Sequence, residues 1–252
     1  INSLKMLRIF LELKFFFKNI LLILDFIKYK NKYNIQYDMA GLLDIKKIIT
    51  QRTTDQKDVP KHVIVNLYPC EEFKKVISLA DDLMQLQINK NIPILTLSLG
   101  NEENIDQKIL FNYIEKLSNW INEKKIKFTV IGKWYELEGR LVEELKKLNT
   151  QSSEFDHFFL NLCINYNPKQ EIADACRVII RKIIQDKSDI DSISPELIKE
   201  NIYSSFLIPP EIVIEPSLEF SGTFLWDSKG SKIINLNKPL SDISIQDIEK
   251  KL

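Results

Sequence analysis

Acidic and neutral side chains crowd the ends of the apolar runs in this sequence. After HVIVNLY (62–68) come Pro69, Cys70, Glu71 and Glu72; after IPILTLSL (92–99) come Gly100, Asn101, Glu102, Glu103 and Asn104. FFLNLCINY (158–166) is followed by Asn167, Pro168 and Lys169, and EIVIE (211–215) by Pro216, Ser217, Leu218 and Glu219. Carboxylates so placed could hold a divalent cation through oxygen, with Glu71, Glu72, Glu103 and Glu219 as the set. Such a set is more often a solvated rim, and no metal is assigned. An anionic phosphate would meet like charge here, with Lys169 the one cation. His62 and His157 are the two histidines, which excludes a multi-histidine metal centre. Lys229-Gly230-Ser231 lacks the leading glycine and spacing of a phosphate loop. Asp156-His157 has no nucleophile beside it and reads as surface. The residues alone define no catalytic constellation.

The elements that must position these ends alternate regularly from Val59 onward. Strands are expected at 62–68, 92–99, 127–132, 158–166, 211–215, 223–226 and 232–236. Helices are expected at 70–90, 106–124, 134–148, 169–185 and 195–203, with a last one from about Ile245. Apolar strands between amphipathic helices imply an α/β domain with a mostly parallel sheet covered on both faces.

The chain has 252 residues, with 35 Lys+Arg against 35 Asp+Glu, so charge argues against nucleic acid as a partner. Hydrophobic residues at 44% and charged ones at 28% fit a globular protein. Cys70, Cys163 and Cys176 are odd in number and lack CxxC spacing, so they read as reduced thiols; Cys163 and Cys176 are expected in the core. The chain opens on Ile1, as a fragment or a processed chain would.

Residues 1–58 form an expected N-terminal segment and linker ahead of the domain at 59–252. Between 4 and 30, Lys14, Lys18, Asp25 and Lys28 share one helical face, and Phe15, Phe16, Ile20, Ile23, Leu24 and Ile27 cover much of the rest. The longest uncharged stretch, Asn19 to Leu24, is far short of the roughly 20 residues a bilayer span needs. An amphipathic helix of this kind lies on a membrane surface or packs on a partner, or else covers its own core. QRTTDQKD (51–58) reads as a linker.

Five segments in order resemble the cis-prenyltransferases, the undecaprenyl and dehydrodolichyl diphosphate synthase family. VPKHVIVNLYP (59–69) is similar to the opening strand, with His62 retained. PILTLSLGNEENI (93–105) is similar to the second strand and its Ser-x-Glu-Asn-Trp turn, with Glu103 and Asn104 on the Glu-Asn pair. FTVIG (128–132) resembles the third strand. LNLCINYNPKQEIADA (160–175) resembles the Asn-Tyr-Gly-Gly-Arg-x-Glu-Ile segment, with Asn165 and Tyr166 retained. PPEIVIEPSLEFSGTFLW (209–226) resembles the stretch from Pro-Asp-Leu-x-Ile-Arg to Ser-Asn-Phe-x-x-Trp.

The departures fall on the ligands. The resemblance puts Tyr68 at the essential, magnesium-diphosphate-binding Asp, and Cys70, Glu71 and Glu72 where an Asn and two arginines belong. A following loop with His-x-x-Gly is absent. Asn167, Pro168 and Lys169 replace Gly-Gly-Arg, Glu215 replaces the first Arg of the late phosphate motif, and Lys232 replaces a magnesium-holding Glu. Arginine forks hold diphosphate through bidentate bonds that carboxylates turn into repulsion. The pattern resembles the non-catalytic, Nogo-B receptor-type subunit of heteromeric cis-prenyltransferases.

That resemblance implies a catalytically inactive accessory subunit. It would stabilise and activate a catalytic partner that makes long-chain, dolichyl-type polyprenyl diphosphate from farnesyl and isopentenyl diphosphate. It implies no cofactor on this chain, Mg2+ in the partner, a heterodimer or higher heteromer, and a membrane-associated location on the cytosolic face, at the endoplasmic reticulum if eukaryotic. Phe224, Leu225, Trp226, Ile233 and Ile234 are the partner-interface candidates, or else ordinary core. Such subunits usually end in an Arg-x-Gly tail; this sequence ends Lys250-Lys251-Leu252, as a truncated chain or one that assists by stabilisation would. The alternative reading is a stand-alone prenyl-lipid-binding or membrane adaptor on the same fold.

Overall fold

The computed structural model describes residues 59–252, apart from Glu102 and Asn104. The N-terminal segment 1–58, with its amphipathic stretch at 4–30, and the Asn104 position lie outside the described residues.

The described chain runs β1 (His62–Asn66), α1 (Phe73–Asn89), β2 (Ile94–Ser98), α2 (Gln107–Lys124), β3 (Ile126–Ile131) and α3 (Gly139–Gln151). It continues through β4 (Phe158–Cys163), α4 (Pro168–Asp186), α5 (Pro195–Asn201), β5 (Ile212–Glu215), β6 (Lys232–Asn235) and α6 (Ile245–Glu249). The strands form one sheet in the order β3-β4-β2-β1-β5-β6, and every neighbouring pair is parallel.

Alternation along the strands sorts the side chains onto two faces. Val63 and Val65 sit in register with Leu95 and Leu97, and these with Leu160 and Leu162, giving a face that is apolar across β1, β2 and β4. The other face carries Ile64, Thr96 and Asn161 in one row and Asn66, Ser98 and Cys163 in the next. Ile64, Cys163 and Val213 of this second face pack against Tyr166, Leu207 and Phe224. All of these residues are buried, so a polar side chain among them costs stability unless the protein pairs it.

His62 shows how. Its Nδ1 donates to Ile208 O at 2.7 Å, so the Nε2 of the neutral ring accepts from Thr96 Oγ1 at 2.8 Å, and Thr96 Oγ1 in turn accepts from Asn161 Nδ2 at 3.0 Å. Burial, its largest influence, holds the imidazole neutral, with a pKa lowered to about 4.

Several expected boundaries move. The sheet is parallel throughout among the described strands. The first helix starts at Phe73 and the third at Gly139, after a short 3-10 turn at Trp134–Glu136. β4 stops at Cys163, because Asn165 takes a positive φ of 47°. The strand expected at 223–226 is a turn. Phe224 has φ 52° and Gly222 φ 80°, which no extended ladder accommodates. At Gly132 (φ 102°) a Cβ would lie 2.5 Å from Ile164 O, so glycine is required where β3 turns past β4.

Candidate functional site at the carboxyl edge of the sheet

In a parallel α/β sheet the ends of the strands point their connecting loops to one edge, where ligands bind. Here the ends of β1, β2, β4 and β5 converge, bringing Tyr68, Glu103, Asn165 and Glu215 to the same edge of the domain.

Glu215 ends β5 fully buried. Its Oε1 accepts from Ser221 N at 3.0 Å and from Ser221 Oγ at 2.8 Å. Burial pushes its pKa up, and the Ser221 hydrogen bonds pull the other way. Thr223 Oγ1 lies 3.1 Å from Ser221 Oγ and donates to Asn66 Oδ1, at the end of β1, at 2.7 Å. A chain of hydroxyls and carbonyl oxygens thus ties β1 and β5 together where the family resemblance places a phosphate-binding arginine.

The third strand end is closed by the same device. Asn167 Oδ1 accepts from Lys169 N at 3.0 Å and Gln170 N at 3.1 Å, capping α4, while Pro168 opens the helix. A cap of this kind uses up the amides that a bound anion would take. Lys169 itself is exposed.

Tyr68 is half-buried, and Glu71 and Glu72 are exposed. Glu71 and Glu72, with Cys70, Glu103 and Asp106, line a groove of about 640 Å³, where Lys74 is the one cation among the described residues. Four carboxylates against one ammonium repel a diphosphate.

Lys232 is exposed at the start of β6, in register with Ile212, which pairs with Val63 near the start of β1. It therefore lies toward the amino edge, away from Tyr68, and this chain does not bring the two together. Magnesium needs several oxygen ligands. Tyr68 offers a phenol, Lys232 offers none, and Glu215 is already engaged by Ser221. Among the described residues, no three His, Cys, Asp or Glu side chains gather as a metal cage. The described residues at these positions do not fit magnesium.

Three of the retained family positions, His62, Asn165 and Tyr166, are engaged by the fold itself. His62 is saturated as described above. Asn165 Nδ2 reaches Glu136 Oε2 at 3.3 Å. Tyr166 is buried and donates to Glu171 Oε2 at 2.5 Å. The interface candidates separate: Phe224 and Ile234 are buried, Trp226 is half-buried, and Leu225 and Ile233 are exposed. Leu225 and Trp226 line a second groove of about 560 Å³ with Phe220, Ser228 and Lys229. Cys163 is buried as expected, whereas Cys176 is half-buried, and all three cysteines are free. Asn66, Ser221, Thr223 and Glu171 carry much of the site's hydrogen bonding. The run Ser-Gly-Thr at 221–223 was the signal in the sequence for two of them.

An all-parallel sheet in this strand order, with its loops converging at the ends of β1 and β5, defines a cis-prenyltransferase fold. The chain belongs to that family: residues 71–252 match the family model described as "Putative undecaprenyl diphosphate synthase". A tritrans,polycis-undecaprenyl-diphosphate synthase (geranylgeranyl-diphosphate specific) of Picrophilus torridus is 27% identical over 166 residues, 61% of this chain and 65% of that protein. An isoprenyl transferase of Heliobacterium mobile is 25% identical over 174 residues, 65% of this chain and 64% of that one. The chain thus spans just under two thirds of the length of these two relatives. Lavandulyl diphosphate synthase from Lavandula x intermedia, solved in complex with dimethylallyl diphosphate, shares the fold with a TM-score of 0.69 at 16% identity. That match covers 77% of this chain and 94% of the solved one.

Proposed function

We propose that this chain is a catalytically inactive accessory subunit of a heteromeric cis-prenyltransferase, of the Nogo-B receptor type. It assists a catalytic homologue that builds long-chain, dolichyl-type polyprenyl diphosphate from farnesyl and isopentenyl diphosphate. The observation that carries this reading is Glu215, a buried carboxyl turned onto Ser221 at the position of a phosphate-binding arginine. Tyr68 stands in place of the aspartate, and the α4 amides that would meet a diphosphate are taken by the Asn167 cap. No cofactor is assigned to this chain, and Mg2+ belongs to the partner.

A partner surface is supported by where apolar side chains remain outside. Among the described residues, the exposed large hydrophobics all fall between Ile180 and Ile233, including Ile184, Leu218, Phe220 and Leu225. Phe220, Leu225 and Trp226 line one groove, an apolar lining of the kind an interface covers, and the Trp226 side chain suits an anchor. In this reading Leu225, Trp226 and Ile233 touch the partner, while Phe224 and Ile234 support them from the core. Residues 4–30 hold the complex to the cytosolic face of a membrane, the endoplasmic reticulum in a eukaryote.

The test is a prenyl-transfer assay with magnesium, using this chain alone, the active homologue from the same genome alone, and both co-expressed. Full activity and co-purification only with both supports the reading. A homologue that is fully active alone and does not bind this chain refutes it.

A further inference from the structure

One carboxylate holds both ends of the turn that presents Leu225 and Trp226. Glu171, in the first turn of α4, is buried. Its Oε2 accepts from Tyr166 Oη at 2.5 Å, and Tyr166 Oη in turn accepts from Phe224 N at 3.1 Å. Its Oε1 accepts from Ser204 N at 3.0 Å. Ser204 Oγ donates to Asp227 Oδ2 at 3.0 Å, and Lys199 Nζ donates to the same oxygen at 2.5 Å and to Ser204 O at 3.1 Å. One arm of Glu171 therefore ends on the backbone of Phe224, and the other ends on the side chain of Asp227.

Between those two points the chain is bent hard. Phe224 is in the left-handed region at φ 52°, which a bulky residue adopts only when its surroundings over-determine it. Asp227 N and Ser228 N both donate to Phe224 O at 2.8 Å. The Phe224 ring packs edge-on against Tyr166, with centroids 5.8 Å apart, and tilted against His62 at 6.2 Å. Leu225 and Trp226 are thereby turned outward, Leu225 being 43% exposed.

We infer that Glu171 is the positioning residue of the partner-facing turn: through Tyr166 and Ser204 it fixes the conformation in which Leu225 and Trp226 meet the catalytic homologue. This rests on the proposed subunit role. If the turn must be pinned to bind, loosening it lowers affinity by the fraction of time it remains in place.

The experiment uses the full-length Tyr166→Phe variant, which keeps the ring but removes the hydroxyl, and Glu171→Gln as a second variant should the first fail to fold. Hydrogen exchange is read amide by amide, and the dissociation constant for the co-expressed homologue is read in parallel. Exchange at Phe224, Asp227 and Ser228 is expected to accelerate about tenfold or more while Val63–Val65 amides are unchanged. The dissociation constant is expected to rise by about the same factor. Unchanged exchange in the turn, or equal acceleration in β1, overturns the pinning. Faster exchange with unaltered affinity overturns its role in recognition. A wild-type chain that binds no homologue refutes the subunit role instead, and with it any role of the turn in recognition, while the exchange data still decide whether Glu171 pins the turn.

Discussion

Ser221 donates twice to a single oxygen of Glu215, from its backbone amide at 3.0 Å and its hydroxyl at 2.8 Å. The carboxyl is buried, so this pairing is what allows an acid to sit where the family resemblance places an arginine.

Glu215→Ala removes the acceptor and leaves the Ser221 donors without it. A loss of about 1–3 kcal/mol is expected in urea unfolding. Glu215→Arg buries a cation against Ser221 and Thr223 and is expected to cost more, about 3–5 kcal/mol, without producing prenyl transfer by the chain alone. Equilibrium denaturation and a magnesium-dependent assay check both.

His62 gives the stability an acid limb. The fold lowers its pKa from 6.5 to about 4, so between those values the unfolded chain binds the additional proton. Stability is fully present above pH 6.5 and is lost as pH falls, by about 3 kcal/mol once pH reaches the folded value. Glu171 and Glu215, whose pKa values burial raises, act in the opposite sense, favouring the fold as pH falls. The difference between wild type and His62→Gln, measured from pH 7 to 4, isolates the histidine. A difference that does not change with pH contradicts this assignment.

Phe224 and Leu225 are neighbours with opposite roles. Phe224→Ala empties a fully buried site and is expected to destabilise by about 3–5 kcal/mol. Leu225→Ala is expected to change stability by less than about 0.5 kcal/mol, with its effect appearing in partner affinity. Thermal unfolding and co-purification separate the two.

Gly132→Ala is expected to destabilise by more than about 1 kcal/mol, since its φ of 102° and the 2.5 Å approach to Ile164 O both reject a side chain.

The strands β1 to β6 and the main helices were legible because their residues are locally consistent: apolar runs such as Ile64–Val65 and Ile233–Ile234, separated by amphipathic helices. The turn at 223–226 was not. Its apolar side chains read as a strand, but Phe224 N is claimed by Tyr166 Oη, 58 residues earlier in the chain. The substitutions at Tyr68, Glu71 and Glu215 were visible by resemblance, because they replace one chemical type with another. What fills their place was not visible. Asn66 and Thr223 meet across 157 residues, and Glu171 and Ser204 across 33, so their pairing exists only in the folded chain. The place of Lys232, toward the opposite edge from Tyr68, likewise follows only from the strand register.

The most direct test titrates the catalytic homologue with this chain and follows isopentenyl diphosphate incorporation in magnesium. The account predicts no incorporation by this chain alone, and a rate that rises about tenfold or more and saturates as each homologue subunit acquires one copy. Incorporation by the purified chain alone, or a homologue rate that does not change on its addition, would contradict it.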